Sequence, residues 1–388
     1  MRRKRSSVYS RFRLRKKLLT WFAEFRRDLP WRRTKDPYRI WLSEIMLQQT
    51  RVAAVIPYYQ RFLKHFPNVL ALADAPEEEV LRLWAGLGYY SRARNLQKAA
   101  RQIVAEHNLQ FPDTRDEALQ LAGIGDYTAA AILSIAYGKQ LAVLDGNVAR
   151  VLARLGAIRG DLRGNGRWQK LQTLADKLLA PQAPGDWNQA LMELGATVCT
   201  PRSPQCLLCS IAEFCQARKL GLTDCIPQKR KKRDGLEVTL AALVLVDPQD
   251  RTLLLPPPVD SRKPALGQDV AGLLSHMWHF PTIAVASDSE TELYKFAKKN
   301  LFGGRPPRSG FLPLSKVRHT VTYRLITVQA FRMNIDKLPR LQGGKSVPLH
   351  ELGSLPISNL TRKVASAALS GTERRSSRKA APGPARRF

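Results

Sequence analysis

Four of the chain's five cysteines lie within seventeen residues, and this crowding constrains the fold more than any other feature of the sequence. They are Cys199, Cys206, Cys209 and Cys215, whereas Cys225 stands outside their spacing. The basic N-terminus lacks the apolar core of a secretory signal, so we expect thiols that bind metal rather than disulfides. Four thiolates can hold a zinc ion or a [4Fe–4S] cluster. Structural zinc usually uses two C-x2-C pairs and this sequence has one, so the spacing favours the cluster.

The charge balance points to a polyanionic partner. Lys and Arg number 63 against 32 Asp and Glu in 388 residues, which gives a formal net charge of +31. Such an excess favours nucleic acid first and an anionic membrane surface second. No run reaches the roughly 18 to 20 apolar residues of a membrane span, so we expect no membrane association. The length is comfortable for two domains.

Residues 121–155 contain a glycine turn between two helical patterns. Gly123-Ile124-Gly125 separates an apolar helix that ends near Leu121 from a second helix that starts near Asp126. Glycine allows the tight turn, and free N–H groups at the start of the second helix can face a phosphate. Glycine turns also join helices in many unrelated proteins. On its own, the turn is a weak indication of a phosphate-binding hairpin.

Two carboxylates stand in settings that suit acid–base chemistry. Glu44 lies in a helical pattern with Trp41 and Leu47 within one turn. Apolar neighbours of this kind raise the pKa of a carboxyl, but an ordinary hydrogen-bonded residue at the edge of the core fits the pattern equally well. Asp145 precedes a helix that starts near Asn147, where backbone N–H groups and the helix dipole favour the ionised form.

Glycines, aromatic residues and arginines alternate in residues 86–94, GLGYYSRAR. Rings stack on bases and cations contact phosphates, so this composition suits a loop that inserts into nucleic acid. A helix-linking turn with surface charges is the competing interpretation, and the stretch alone slightly favours that turn.

The sequence changes character after a charged run at residues 228–233, which we interpret as a domain boundary. Residues 238–246 and 319–331 are rich in β-branched and apolar residues, as strands are, and residues 289–299 resemble a capped helix. These elements predict a small α+β domain. From residue 371 the chain is rich in Ser, Arg, Ala and Pro without apolar periodicity, which predicts a disordered basic tail.

Together, the glycine turn, Asp145 and the cysteine spacing resemble the helix-hairpin-helix DNA glycosylases of the endonuclease III superfamily. Within it, the chain resembles the adenine DNA glycosylase (MutY) branch, which removes adenine mispaired with 8-oxoguanine. The likeness is strong over residues 18–227 and loose over residues 238–369. It is carried by LPWR at 29–32, WLSEIMLQQTRV at 41–52, GLGYYSRARNL at 86–96 and WNQALMELGATVCTPRSPQC at 187–206.

The resemblance implies three catalytic residues. Glu44 would be the general acid that protonates N7 of adenine, because adenine leaves poorly until its ring is protonated. Asp145 would stay ionised and offset the positive charge left on the sugar. Tyr127 would hydrogen-bond within this group. It stands two residues after the second glycine, where bifunctional relatives carry a lysine nucleophile, so we expect no strong β-lyase activity.

The resemblance also implies residues that bind DNA. The target base must first leave the stack, at a cost of about a few kcal/mol. Gln49 and Tyr89 would fill or wedge the gap, and Thr50 and Leu87 would lie beside the opposite 8-oxoguanine. Without the family, Thr50 and Leu87 are better interpreted as surface or packing residues. The remaining predicted DNA and substrate contacts are Arg32 and Gln189 in the adenine pocket, together with Gly123, Gly125 and Asn147.

The C-terminal part resembles the Nudix-like domain that reads 8-oxoguanine in this branch. MWHFP at residues 277–281 is similar to an LWEFP motif, with His279 in the glutamate position. No run of glutamates typical of a Nudix catalytic box is present. The family's recognition loop, H-x-F-S-H, corresponds to HTVTY at residues 319–323, so Thr322 is the candidate contact to 8-oxoguanine.

We therefore expect a mostly α, two-lobed helix-hairpin-helix glycosylase domain with an iron–sulfur cluster, followed by a smaller α+β Nudix-like domain. The expected divisions are a basic arm (1–17), the glycosylase domain (18–227, with the cluster loop at 199–215), a basic linker (228–236), the Nudix-like domain (237–370) and the tail (371–388).

The expected function is that of a monofunctional glycosylase. It would act as a monomer on double-stranded DNA with A:8-oxoguanine or A:G mispairs, in the cytoplasm at the bacterial nucleoid. Two alternatives stay open at this point. One is a bifunctional pyrimidine-damage glycosylase and AP lyase, and the other is a non-catalytic iron–sulfur protein that binds DNA or senses redox state.

Overall fold

Helices dominate the N-terminal part of the chain in the computed structural model. The structure describes residues 2–164, 166–228, 234–256, 277–286, 288–305, 309–321 and 323–379, with the backbone alone for residues 2–9, 354 and 371–379. The chain divides into two compact units. The first comprises Met1–Ala75 and Ser91–Lys231, and the second comprises Pro76–Tyr90 and Lys232–Phe388.

The sequence assigned residues 76–90 to the first domain, but they group with the second unit. Lys345 Nζ lies 2.8 Å from Glu78 Oε1 in that unit. An ion pair between residues this far apart in the chain leaves no local trace in the sequence, so the assignment could not be made from sequence pattern alone.

Sequence signals account for several helix starts. Pro37 occupies the first turn of the second helix, and the Asp36 side chain accepts a hydrogen bond from the N–H of Tyr38 at 2.9 Å. The helices before the cysteine loop and directly after it are α1 (Arg2–Phe25), α2 (Pro37–Leu47), α3 (Val52–His65), α4 (Val69–Asp74), α5 (Glu77–Trp84), α6 (Ser91–Glu106), α7 (Arg115–Gln120), α8 (Asp126–Tyr137), α9 (Gly146–Leu155), α10 (Arg167–Leu178), α11 (Pro184–Thr197) and α12 (Gln216–Lys219).

The predicted basic arm, residues 1–17, is wrong as an arm, because α1 begins at Arg2. Leu14, Leu18 and Phe22 recur at four-residue spacing and are buried in the core of the first unit. This apolar stripe anchors the second half of the helix. Because many arginines lie between these positions, the charge pattern suggested a basic arm and the apolar stripe was not recognised.

Helices α8, α9 and α11 pack around the core that carries the candidate site. Val148 and Leu152 of α9 and Trp187 and Leu194 of α11 are fully buried there. A side chain at Gly195 of α11 would lie 2.8 Å from the Asn147 side chain, so glycine permits the two helices to approach this closely.

Among the described helices, none is both long and apolar enough to cross a membrane.

The C-terminal part of the second unit is α+β, as the sequence predicted. Its elements are β1 (Leu236–Val246), β2 (Arg251–Leu254), β3 (Thr282–Ala284), α13 (Ser289–Asn300), β4 (Leu312–Pro313), β5 (Val317–Val321), β6 (Arg324–Asn334), β7 (Lys345–Pro348) and α14 (Asn359–Lys379). The main sheet has the order β3-β1-β6-β4, with β5 also paired to β6, and a separate two-stranded sheet joins β2 to β7. Strands β1 and β6 run parallel with Leu240 opposite Val328, and the other pairs are antiparallel.

Two boundaries differ from those expected. Helix α14 continues to Lys379, so the predicted disorder is wrong for residues 371–379. This segment contains five good helix formers (Glu373, Arg374, Arg375, Arg378 and Lys379), and the next proline comes only at Pro382. The predicted linker, 228–236, is one residue too long, because Leu236 already begins β1.

We expect that Leu18→Ala destabilises the first unit. Leu18 is completely buried, so its truncation removes apolar contacts and leaves a cavity. The free energy of unfolding should fall by about 2–5 kcal/mol, measured by urea denaturation followed by circular dichroism.

Phe12→Ala is the matched control on the same helix, since Phe12 is 63% exposed. This substitution should change the free energy of unfolding by no more than about 0.5 kcal/mol. Equal unfolding midpoints for the Leu18 variant and the parent would contradict the docking of α1.

Candidate active site

A cavity of about 740 Å³ lies in the first unit and gathers side chains from several helices. Glu44 comes from α2, Tyr127 from the first turn of α8 and Asp145 from the residue before α9. The three residues are separated by up to 101 positions in the chain, yet all three line this cavity. The carboxylates and the tyrosine predicted from the sequence therefore share one site.

Glu44 is a buried carboxyl with a raised pKa. It is 7% exposed, and burial raises its pKa to about 7, assisted by the charge of Asp145. The Tyr127 hydroxyl donates to Glu44 Oε2 at 2.7 Å and, with the charge of Arg32, works in the opposite direction. Desolvation prevails because water cannot solvate the charged form. Near neutral pH the carboxyl therefore exists in both protonation states, as a general acid requires.

Tyr127 is held between the acid and a thioether. Its hydroxyl lies 3.3 Å from Met192 Sδ as well as 2.7 Å from Glu44. Burial and the neighbouring Glu44 and Asp145 charges raise the pKa of Tyr127 well above its usual range. The phenol therefore stays protonated and acts as a hydrogen-bond donor.

Asp145 caps α9 and remains within the cavity. Its Oδ1 accepts from the N–H of Val148 at 2.7 Å, and its Oδ2 accepts from the Asn147 side-chain amide at 3.1 Å. The sequence-based expectation was that the helix start would keep its pKa low. Instead, burial raises the pKa, although both hydrogen bonds and the charge of Arg150 oppose the rise. The sequence could identify the cap but not the desolvation.

Arg150 connects the capping group to the cysteine loop. Its Nη2 donates to Asn147 Oδ1 at 2.9 Å and to Gly195 O at 2.8 Å, and its Nε donates to Cys199 O at 2.8 Å. Asn147 in turn donates to Asp145. One buried guanidinium therefore fixes Asn147, α11 and the first cysteine relative to each other.

Glu193 was not identified from the sequence. This carboxylate of α11 is 1% exposed and accepts hydrogen bonds from Arg27 at 2.7 Å and from Arg32 at 2.8 Å. Burial alone would raise its pKa, but these bonds outweigh burial and lower the pKa of Glu193 to about 2. An acid between the apolar residues Met192 and Leu194 was the available signal. Arg32, predicted for the adenine pocket, is thus oriented by a permanent anion.

The glycine hairpin lies at the border of the same cavity. Gly123 has a φ of +76°, and a side chain there would lie 2.8 Å from Asn95. Gly125 precedes α8 and has no side chain with which to cap the N–H groups of that helix start. Both glycines line the cavity together with Asn147 and Gln189. This arrangement leaves backbone donors available to an anion.

The predicted wedge residues fall into both units. Gln49 and Thr50 follow α2 and line the cavity, and Gln49 is exposed with a φ of +56°. Leu87 and Tyr89 belong to the second unit, where Leu87 is buried and Tyr89 is 42% exposed with a φ of +50°. Thr322 lies outside the described residues.

The four clustered cysteines line a separate small cavity of about 30 Å³ beside Arg154. All are free thiols, and Arg154 Nη1 lies 3.2 Å from Cys199 Sγ. Within the described residues, no group of three or more His, Cys, Asp or Glu side chains is arranged to hold a metal ion. Four sulfur donors around one space, with a cation beside them, fit the donor set of an iron–sulfur cluster.

Comparisons with known proteins match the two segments of the chain that contain these sites. Residues 42–177 match the model of the HhH-GPD superfamily of base excision DNA repair proteins. Residues 199–215 match the iron–sulfur binding domain of endonuclease III. The two matched segments contain Glu44, Tyr127 and Asp145 in the first and the four cysteines in the second.

Relatives with similar sequences extend over most of the chain. The adenine DNA glycosylase of Homo sapiens is 37% identical over 362 residues, which cover 82% of this chain and 66% of the human protein. The adenine DNA glycosylase of Mus musculus is 35% identical over 395 residues, which cover 90% of this chain and 76% of the mouse protein. The chain belongs to the adenine DNA glycosylase family. Membership places it among the DNA-binding enzymes of base excision repair.

A solved structure supports the fold of the helical part. A thermostable thymine-DNA glycosylase is 29% identical, with a TM-score of 0.50, and the match covers 55% of this chain and 99% of that chain. The cofactor of this adenine DNA glycosylase family member is a [4Fe–4S] cluster.

The raised pKa of Glu44 predicts a pH-dependent cost in stability. An unfolded glutamate ionises near pH 4.5, whereas buried Glu44 keeps its proton up to about pH 7. Between these two pH values, ionisation of this glutamate stabilises the unfolded state but not the folded state. The free energy of unfolding therefore falls as the pH rises through this window. The loss amounts to about 3 kcal/mol and is complete above pH 7.

Glu44→Gln should remove this loss. We expect the stability of the variant relative to the parent to increase by up to about 3 kcal/mol between pH 4.5 and pH 8, measured by urea denaturation. Glu24→Gln replaces an exposed glutamate of α1 and should show no such trend. A constant difference between the Glu44 variant and the parent across this range would contradict the raised pKa.

Proposed function

We propose that this protein is a monofunctional glycosylase that extrudes and hydrolytically removes adenine opposite 8-oxoguanine or guanine in duplex DNA. The observation that carries the proposal is the Tyr127 hydroxyl 2.7 Å from a buried Glu44 whose pKa is about 7. An acid that is half protonated at neutral pH suits the protonation of a purine ring nitrogen.

Glu44 supplies the proton in the first step. Its carboxyl donates to N7 of the extruded adenine, which turns the base into a neutral leaving group and leaves Glu44 as a carboxylate. Tyr127 stays protonated and donates to that carboxylate as the charge develops. The C–N glycosidic bond then breaks with both electrons going to the base.

Asp145 balances the charge that appears on the sugar. The Val148 N–H and the Asn147 amide hydrogen-bond its two oxygens, which supports the ionised form despite burial. A fixed carboxylate beside the cationic sugar lowers the energy of the transition state. Water adds to the sugar carbon, and Glu44, now ionised, accepts its proton.

Tyr127 supports hydrolysis without lyase chemistry. A phenol cannot form a Schiff base with the sugar, and it occupies the position at which bifunctional relatives carry lysine. The β-elimination that depends on a Schiff base is therefore not available through this residue. The product is an intact abasic site.

Substrate choice rests on the walls of the cavity and on the second unit. Arg32, held by Glu193, and Gln189 present polar atoms to an adenine, and Gln49 and Thr50 line the same cavity. We assign reading of 8-oxoguanine to the C-terminal α+β region, which we propose to be Nudix-like, through residues 319–323. The three catalytic candidates come from one chain, in accord with action as a monomer.

The four clustered cysteines are proposed as the cluster ligands. As thiolates they would bind the irons of the [4Fe–4S] cluster, which would cross-link residues 199–215 when bound. Arg150 and Arg154, which both bond to Cys199 O, place this loop against α9. The loop thereby supports the helix that Asp145 caps.

The catalytic assignment predicts the loss of adenine excision in two variants. Glu44→Gln and Asp145→Asn should each lower the single-turnover rate on A:8-oxoguanine duplexes by about 10²- to 10⁴-fold, because each removes a group used in the transition state. The assay should include duplexes with A opposite 8-oxoguanine, G and C. In the parent, the rate should fall as the pH rises above about 7, since Glu44 then loses its proton.

Glu24→Gln serves as the control and should excise adenine at the parental rate. Borohydride should trap no covalent complex on an abasic duplex, because Tyr127 forms no Schiff base. Efficient trapping, or full activity in both carboxylate variants, would overturn the proposed mechanism.

The ligand assignment predicts the metal content of cysteine variants. Cys206→Ser should lower bound iron and sulfide well below the about four of each per chain expected for one cluster. It should also reduce the brown colour of the purified protein. Cys225→Ser is the matched control, because Cys225 is exposed and outside the spacing, and it should retain full iron content. Equal iron loss in both variants would contradict the assignment.

A further inference from the structure

Arg92 joins the start of α6 to the end of α2. Its Nη1 lies 2.7 Å from Ile45 O, 3.0 Å from Met46 O and 2.6 Å from Gln48 O. Its Nη2 lies 3.3 Å from Thr50 Oγ1. One guanidinium thus donates to three backbone carbonyls and one hydroxyl within the six-residue segment 45–50.

These carbonyls belong to a helix end. Helix α2 ends at Leu47, so its last carbonyls have no partner within the helix. The N–H of Thr50 donates to Leu47 O at 3.2 Å, and Arg92 takes the two carbonyls before it. A cation at this end also interacts favourably with the partial negative charge of the helix dipole. A planar guanidinium can serve several acceptors at once, whereas a lysine ammonium is a single point charge.

The turn held in this way is strained and faces the active-site cavity. Gln49 has a φ of +56°, a conformation that side-chain-bearing residues rarely adopt. Residues 48–50 line the cavity that also holds Glu44. The surrounding structure must supply the free energy that keeps Gln49 in this conformation, and the bonds of Arg92 to Gln48 and Thr50 flank it on both sides.

Arg92 also determines what Thr50 can offer to a ligand. Because Arg92 donates to Thr50 Oγ1, the hydroxyl hydrogen points elsewhere, and Gln48 O lies 3.3 Å away to accept it. The hydroxyl therefore has an acceptor lone pair left for a ligand and no free hydrogen to donate.

We propose that Arg92 is a positioning residue that holds residues 48–50 in the strained turn needed to keep the target base out of the DNA stack. This inference rests on the proposed glycosylase function, since it assigns the turn a part in base extrusion. Arg92 acts through Gln49 and Thr50 and not on the reacting atoms. Glu44 keeps its own hydrogen bond from Tyr127, which comes from another helix.

The first test needs neither DNA nor activity. Arg51 follows the turn directly and is exposed, so trypsin can cut after it once the turn loosens. In the cluster-loaded full-length protein, Arg92→Met should speed cleavage after Arg51. The rate of this cleavage is measured by mass spectrometry of the fragments. Arg101→Met is the matched control on the same helix, since Arg101 donates to the single carbonyl of Ala73 at 3.0 Å. It should leave cleavage after Arg51 unchanged.

The second test measures extrusion and excision separately. With 2-aminopurine in place of the target adenine, Arg92→Met should lower the fluorescence increase on binding and slow adenine excision by about tenfold or more. The pH midpoint of excision should remain that of the parent, because Glu44 is untouched. Arg92→Lys keeps the charge and should recover part of both signals. It also serves as the test variant if Arg92→Met fails to fold.

The outcomes separate this inference from the proposed function. Parental cleavage after Arg51, or parental extrusion in a folded Arg92→Met protein, would overturn the role of Arg92. A shifted pH midpoint would overturn it too, since Arg92 would then support α2 as a whole. Absence of adenine excision in the parent itself would overturn the proposed function, while the trypsin result would still decide whether Arg92 holds the turn.

Discussion

The hydrogen bond between Tyr127 and the buried carboxyl of Glu44 is the interaction on which the candidate site depends. Burial brings the pKa of Glu44 to about 7, and the tyrosine limits the rise by donating to the carboxylate. A carboxyl without this donor would hold its proton too tightly to give it up, and an exposed one would lack the proton at neutral pH. The balance requires α2 and α8 to meet in one place.

Fixed cations and backbone donors organise the other polar groups of the first unit. Arg32 is oriented by Glu193, a carboxylate with a pKa of about 2, so this pair is charged at any working pH. Arg150 ties Asn147 to the cysteine loop, and Arg92 ties the end of α2 to α6. Arginine suits these places because its planar donors serve several oxygens at once. The cavity is therefore built from polar groups whose positions are set by their neighbours.

Sequence pattern succeeded where a signal is local. The spacing of the four cysteines, the glycine turn before Tyr127 and the Asp145 cap are all short-range features, and each lies where the pattern placed it. The prediction failed where the deciding contact is distant. The basic composition of residues 1–17 concealed the stripe at Leu14 and Leu18 that packs into the core of the first unit. Residues 371–379 are a separate case, because their polar composition suggested disorder although the helix continues through them.

By itself, the sequence indicated a polyanionic partner and the helical and α+β parts, and it predicted a thiol ligand set and two catalytic carboxylates. Spacing and composition carry these properties directly. Only the tertiary structure decided the protonation of the carboxylates, because desolvation depends on what covers a group. Burial raises the pKa of Asp145 although its capping hydrogen bond lowers it. The fold also places Glu193 in hydrogen-bonding contact with Arg32, and Arg92 in contact with the carbonyls at the end of α2. Each of these results depends on helices that are distant in the chain and adjacent in space.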